Sequence, residues 1–116
     1  MGNSDRIAVV NRYGYLSIES LDIPDEFALH ENYPNPFNPT TQIRFDIPEM
    51  SNVNLTIYNM LGQKVKVFNM ESAPAGYHAL SWNATNELGA PVSAGVYLYQ
   101  LQTKGFVKTK KMVLLK

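Results

Sequence analysis

The sequence predicts an all-β fold, an immunoglobulin-like antiparallel β-sandwich of about seven strands with no disulfide. Apolar and polar residues alternate with a period of two through most of the chain after Pro24, which is typical of half-buried strands. Short clusters of Gly, Pro, Asn and Ser separate these runs, and no segment has a sustained helical period. Because the chain has no cysteine, its core alone must stabilise the sandwich.

The first elements form a separate unit. Ile7–Val10 and Tyr15–Ile18 flank a turn-like segment and predict a short hairpin, and Ile23–Glu26 has the composition of a linker. Phe27–His30 is a candidate for a first, irregular strand. We therefore place a domain boundary near Pro24. Residues 1–23 would be a hairpin and linker or the remnant of an upstream domain, and residues 24–116 the sandwich.

A proline-rich loop precedes the next strand. The segment 32–41, Asn-Tyr-Pro-Asn-Pro-Phe-Asn-Pro-Thr-Thr, has three prolines in six positions and leads into the alternating run Gln42–Ile47. Proline lacks an amide donor and holds the preceding residue in extended geometry, so this loop cannot lie inside a helix or a central strand. We expect Asn35 and Asn38 to bond backbone amides close by.

The later strands follow from the parity of their apolar residues. The positions expected to face the core are Val53, Leu55, Ile57, Val65, Val67, Leu80, Trp82, Tyr97, Tyr99 and Leu101. Gly62 is expected to form a tight hairpin with positive φ, and Gly95 to begin a strand where another backbone approaches closely. Trp82, Tyr97 and Tyr99 could instead form a sugar-binding platform, but their parity favours the core.

The composition and the motifs indicate no enzyme. Ten basic and ten acidic residues cancel, so we expect no nucleic-acid partner. No apolar run approaches the ~20 residues of a transmembrane segment, and none is expected. His30 and His78 lie near no carboxylate cluster, and the turn Asn83–Glu87 offers few charged ligands for calcium, so we expect no metal or cofactor. The first residues carry no export signal, so the chain is either intracellular or one segment of a longer exported protein.

Four sequence features in order carry a family resemblance. They are Tyr33–Thr41, Ile57–Val65, Ala75–Asn83, and Val92–Leu101 with the basic and apolar tail Lys110–Lys116. Together they resemble the type A C-terminal sorting domain of the type IX secretion system, which is found in Bacteroidetes and related bacteria. The middle of the chain also resembles the immunoglobulin-like domain of flagellar hook-capping proteins. The Pro-Asn-Pro loop and the tail distinguish the two families and favour the sorting domain.

The resemblance implies a non-catalytic secretion signal and cell-surface anchor of a larger exported protein, which passes through the periplasm to the cell surface or extracellular space. Its partners would be the outer-membrane translocon, a surface sortase and an upstream cargo domain of the same chain, and the isolated domain would be a monomer. Cleavage is expected in the linker from Ser20 to Asn32, because a protease needs exposed, extended backbone. The alternative is an immunoglobulin-like or fibronectin-like spacer or carbohydrate-binding module of an extracellular protein.

The resemblance also suggests which residues serve sorting. The positions that match the family pattern are Tyr33, Pro34, Asn35, Pro36, Gly62, Gly95, Tyr97, Lys110, Lys111, Met112, Val113, Leu114, Leu115 and Lys116. Five of the ten basic residues lie in the last strand and its approaches. Lysines there could protect a sheet edge from pairing with another chain. The resemblance favours recognition of Lys110–Lys116 by the secretion machinery, through strand addition or through the lysines.

Overall fold

The computed structural model of the protein describes residues 6–10, 16–20 and 23–115. Its regular elements, all strands, are β1 Arg6–Val10, β2 Leu16–Ser20, β3 Ala28–Leu29, β4 Thr41–Ile47, β5 Ser51–Tyr58, β6 Lys64–Ala73, β7 Gly76–Trp82, β8 Gly95–Thr103 and β9 Phe106–Leu114. The antiparallel pairing of β1 with β2 confirms the first hairpin. The turn predicted between these two strands lies outside the described residues.

Strands β3 to β9 form two antiparallel sheets, which confirms the predicted sandwich of seven strands. One sheet has the order β3-β4-β7 and the other the order β6-β5-β8-β9. The short β3 is the irregular first strand expected near Phe27. In the larger sheet β5 and β8 are central, and β6 and β9 are the edges.

The core lies between the two sheets because alternate residues of each strand face inward. In β4 the inward residues Ile43, Phe45 and Ile47 are fully buried, while the intervening polar residues remain at least partly exposed. The predicted core residues Val53, Leu55, Ile57, Val65, Trp82, Tyr97, Tyr99 and Leu101 are all buried, and Leu80 packs against them. The core prediction for Val67 is wrong: the irregular register of β6 opposite Ile57 and Tyr58 breaks the alternation, so Val67 pairs with Thr56 on the outer side and is half-buried there. Burial of these large side chains contributes about 1.5–3 kcal/mol each, which is the main stabilising term of a fold without disulfides.

Strand directions give the sandwich two distinct ends. The end where β3 begins also carries the turns 48–50, 74–75 and 104–105, and we call it the linker end. The end where β9 finishes also carries the loops 33–40, 59–63 and 83–94, and we call it the tail end. Since β9 has nine residues, its two ends lie about 27 Å apart.

Two glycines matter for the connections of the larger sheet. Gly62 has φ 82° in the turn from β5 to β6, which confirms the predicted tight hairpin. Asn59 supports this turn, because its Oδ1 accepts hydrogen bonds from the N–H groups of Leu61 and Gln63. The prediction of a close backbone approach at Gly95 is wrong, since a Cβ there would meet no atom within 4 Å. Gly95 is instead favoured by its φ of 149°, which other residues rarely adopt.

Candidate functional site

The proline-rich loop at the tail end is closed at its base by hydrogen bonds. Tyr33 and Gln42 exchange N–H···O=C bonds of 3.0 and 2.9 Å, which extends the pairing of the chain with β4. Below them, Asn32 Nδ2 donates to Thr41 Oγ1 at 3.0 Å and to Pro34 O at 3.2 Å. Thr41 Oγ1 donates to the same carbonyl at 2.9 Å. These hydrogen bonds fix both ends of the loop on the sheet. The three X-Pro bonds of the loop are cis.

A buried tyrosine fixes the chain just before this loop. The Tyr99 hydroxyl donates to His30 O at 2.7 Å and accepts from Asn32 N–H at 3.0 Å, which joins β8 of one sheet to the edge of the other. Burial raises the pKa of Tyr99 to about 12, and the nearby Glu31 carboxylate adds to this while the bond from Asn32 opposes it. The phenol therefore stays protonated and can serve both backbone groups.

A second tyrosine fixes the start of β8. The Tyr97 hydroxyl donates to Ser93 O, four residues upstream, in the manner of the tyrosine corner of immunoglobulin-like sandwiches. Burial raises the pKa of Tyr97. Its ring contacts Trp82 edge to face with centroids 5.5 Å apart, and Trp82 Nε1 donates to Thr85 O at 2.8 Å. Tyr97, Tyr99 and Trp82 are thus core residues, and none of the three offers an exposed face for a sugar ring.

The proline-rich loop pairs directly with the end of β9. Phe37 N–H donates to Val113 O at 3.0 Å, and Leu115 N–H donates to Phe37 O at 2.8 Å. Val113 N–H donates to Asn35 Oδ1 at 3.0 Å, across 78 positions of sequence. The expectation that Asn35 bonds nearby amides is wrong, because Asn35 binds the distant last strand. For Asn38, no side-chain hydrogen bond is formed among the described residues. The local bonds are made by Asn32, which is buried at the loop base.

Two side-chain contacts continue this pairing toward the linker end. Lys110 Nζ lies 3.1 Å from Glu31 Oε2, and the rings of Phe27 and Phe106 stack with centroids 5.5 Å apart. Residues 27–37 therefore run alongside β9, in the same direction, over its whole length. We call these contacts between 27–37 and 106–115 the seam. The edge of β9 is paired at the tail end, so strand addition at Val113–Leu115 would have to displace the loop.

The seam brings most of the predicted sorting residues together but buries some of them. Tyr33 is 73% exposed and Leu115 is 50% exposed. Pro34, Asn35, Pro36 and Lys111 are also exposed, whereas Val113 and Lys110 are half-buried. Met112 and Leu114 have at most 1% of their surface exposed and belong to the core. Gly62 lies in a separate hairpin at the same end, Gly95 starts β8, and Lys116 lies outside the described residues.

Three residues of this site were not predicted: Asn32, Phe37 and Thr41. Phe37 is 1% exposed and packs against Trp82 with ring centroids 5.8 Å apart, so it anchors the loop in the core. An aromatic residue inside an otherwise polar, proline-rich segment was the available signal for such an anchor. The bonds of Asn32 and Thr41 depend on the folded path of the loop, and no local sequence pattern indicates them.

The turn Asn83–Glu87 uses its oxygen atoms for hydrogen bonds within the protein. Asn86 Oδ1 accepts from the N–H groups of Leu88 and Ala90, and Asn83 Oδ1 accepts from Thr85 Oγ1. The Glu87 carboxylate accepts the outward N–H of Val67 on the edge strand β6. Within the described part of the chain, no three histidine or carboxylate groups are placed to hold a metal ion.

A family comparison matches the domain that contains this seam. The model of the secretion system C-terminal sorting domain matches residues 31–115. The chain belongs to this family. The sorting domain marks proteins that are exported to the cell surface or the extracellular space. The sequence resemblance is thereby confirmed, and the match covers the proline-rich loop and nearly all of the tail. Within the described residues, no helix is long and apolar enough to cross a membrane.

Solved structures share the fold of the sorting domain. Dimeric latent PorU from Porphyromonas gingivalis is 20% identical with a TM-score of 0.63, over 95% of this chain and 12% of that chain. PorZ of the type-IX secretion system of the same organism is 17% identical with a TM-score of 0.59, over 97% and 15%. FlgD from P. aeruginosa is 25% identical with a TM-score of 0.51, over 64% and 57%. Among curated proteins none matches.

The sorting domain corresponds to only a small part of the first two solved chains, 12% and 15% of their length. At these identities the likeness concerns the fold alone.

Proposed function

We propose that this chain is the non-catalytic C-terminal secretion signal of a larger exported protein and that the type IX outer-membrane translocon recognises its tail end. The observation that carries the proposal is the seam. It joins Asn35 and Phe37 of the proline-rich loop to Val113 and Leu115 of the tail, so that the two most distinctive motifs of the sequence form one surface. A surface assembled from both motifs exists only in the folded domain, which lets the machinery test folding before export.

The exposed residues of this surface are the best candidates for contact with the translocon. Tyr33 and Leu115 are large apolar side chains that the fold leaves exposed, and Lys111 adds a positive charge. Exposed apolar residues near a charge are common in protein interfaces. The buried Met112 and Leu114 support this surface from the core. Truncation of the tail would therefore remove core packing together with the proposed contact to the translocon. Point variants of exposed residues separate the two effects.

The linker end is the place where an upstream cargo domain would be attached and where the chain would be cleaved. The chain enters the sandwich there, and Asp25 and Glu26 are exposed and belong to no strand. The expected cleavage region narrows from Ser20–Asn32 to the part before Phe27, because Ala28–Leu29 is paired in a sheet and Asn32 is buried. A surface sortase that cuts before Phe27 would release the cargo without unfolding the domain.

The test is export of a reporter in a type IX-competent bacterium. The full 116-residue chain is fused behind a fluorescent protein that carries a signal peptide. We expect the reporter in the medium or on the cell surface, and in the periplasm of a strain without the translocon. Mass spectrometry of the processed product should give a cut before Phe27. Retention in the periplasm of the competent strain would refute the sorting function, and a cut between Phe27 and Asn32 would refute the narrowed cleavage region.

A further inference from the structure

The outer face of the larger sheet has an apolar patch between two lysines. The strand registers place Lys64, Tyr58, Leu98 and Lys111 in one row across β6, β5, β8 and β9. Tyr58 and Leu98 point away from the core, because their strand neighbours Ile57, Tyr97 and Tyr99 are buried. The row therefore has two apolar side chains at its centre and a positive charge at each end.

Further half-buried apolar residues surround this row. Val96 pairs with Val113 in the next row toward the tail end, and Val67 lies in the next row toward the linker end. We call Tyr58, Val67, Val96, Leu98 and Val113 the outer patch. Beside Val67, Thr56 is only 8% exposed although it is on the outer side of β5. The strand registers therefore place these half-buried apolar side chains in neighbouring rows of the outer face.

Protection of sheet edges explains the lysines but not the patch. Lys64 and Lys111 are on edge strands, where lysine discourages pairing with another chain. An outer face that only meets solvent is expected to be polar. The rest of this face follows that rule with Asn54, Asn69, Gln100, Gln102 and Thr109, and only Val107 at the edge departs from it. The apolar residues are thus concentrated at the tail end, where the seam also lies.

The charges around the patch are not neutralised within the described residues. Lys64 and Lys111 take part in no ion pair there, and Glu87, the carboxylate beside β6, accepts the Val67 N–H. Three strand spacings separate the backbones of the two lysines, which is about 14 Å. A complementary partner would present apolar side chains flanked by two carboxylates at a similar separation.

We propose that the outer patch docks a protein component of the outer-membrane secretion machinery whose surface has an apolar centre between two acidic groups. This inference rests on the sorting function and specifies a second contact surface beside the seam. A protein partner fits better than a membrane. Stable binding to an anionic bilayer takes clusters of four to eight basic residues or protruding apolar side chains. Here two lysines flank a patch whose side chains are half-buried.

The test measures binding of the full chain to the type IX translocon, purified in detergent through an affinity tag, by biolayer interferometry. The double variant Lys64→Glu/Lys111→Glu is compared with Lys104→Glu/Lys108→Glu, which makes the same charge change outside the outer patch. We expect the first pair to weaken binding about tenfold or more and the second less than about threefold. Leu98→Asn should weaken binding more than Met50→Asn, since Met50 is an exposed apolar residue in the turn between β4 and β5 at the linker end. Trp82 fluorescence checks that every variant is folded.

The other outcomes decide against the outer patch in different ways. Equal losses for the two charge pairs would mean unspecific attraction. Binding to phosphatidylglycerol vesicles that Lys64→Glu/Lys111→Glu abolishes would make the patch a membrane contact. A dimer of the chain that the same variant dissociates would make it a self-interface. If the reporter is exported with the wild-type chain and equally with Lys64→Glu/Lys111→Glu, the outer patch is refuted together with the contact proposed for Lys111 at the tail end; if the wild-type chain is not exported, the sorting function itself fails.

Discussion

At the scale of single residues, Tyr99 fixes the chain before the proline-rich loop because one hydroxyl satisfies two backbone groups. It donates to His30 O and accepts from Asn32 N–H, and its side chain is completely buried. We expect Tyr99→Phe to lower the free energy of unfolding by about 1–3 kcal/mol, because both backbone groups would stay buried without a partner. Urea unfolding followed by Trp82 fluorescence measures this. Tyr58→Phe, at a hydroxyl without a partner in the described residues, should change it by less than about 0.5 kcal/mol.

The same residue gives a signed pH dependence. The pKa of Tyr99 is about 12 in the folded protein against 10.0 for a free tyrosine. Between these values the unfolded chain ionises first, so the contribution of Tyr99 to stability is complete below pH 10 and is lost toward pH 12. The stability difference between wild type and Tyr99→Phe should therefore shrink over this range. A difference that stays constant from pH 9 to 12 would contradict the raised pKa of the buried Tyr99 phenol.

For the aromatic residues of the core, the sequence pattern indicates burial but not hydrogen-bond partners. Period-two parity correctly placed Trp82, Tyr97 and Tyr99 in the core, since successive side chains of a regular strand alternate between its two faces. It failed for Val67, where the irregular register of β6 breaks the alternation. It could not find the partners of the Tyr99 hydroxyl, which are 67 and 69 positions away. The proline-rich motif points to Asn35 as a site residue, but it suggests a hydrogen bond to a neighbouring amide. The actual donor is the Val113 N–H, 78 positions away. Long-range hydrogen bonds depend on how the strands are arranged, which no local pattern encodes.

At the scale of elements, the seam depends on Asn35, and the loop provides its own control. Asn35 Oδ1 accepts the Val113 N–H, whereas Asn38, also exposed and also followed by proline, makes no such bond among the described residues. We expect Asn35→Ala to cost about 1 kcal/mol and to speed hydrogen exchange of the Val113 amide about fivefold. Asn38→Ala should leave that amide unchanged. NMR-detected exchange measures both, and equal effects would mean that the loop is held by Phe37 alone.

The elements themselves were largely predictable, and their lateral neighbours were not. Strands β4 to β9 follow from alternation and turn residues, and Gly62 marks its hairpin. The proline-rich loop and the tail lie far apart in the sequence of the sandwich. They are in fact paired side by side, because β9 ends at the end of the sandwich where the loop turns. Phe37 and Leu114 are distant in the sequence, but they form a direct parallel bridge in the fold.

At the scale of the whole molecule, the sandwich separates the point where the preceding chain joins it from the surface proposed for recognition. These ends are about 27 Å apart along β9. A six-histidine tag after Lys116 should therefore block export of the reporter, because it would sit beside Leu115 and the proline-rich loop, whereas the same tag before Met1 should be tolerated. The matched control places the tag in the exposed turn Lys104–Gly105 at the linker end. Fractionation of cells and medium measures export, and thermal unfolding confirms that all three tagged chains are folded. If the tag after Lys116 is exported as well as the other two, the tail end is not the contact surface.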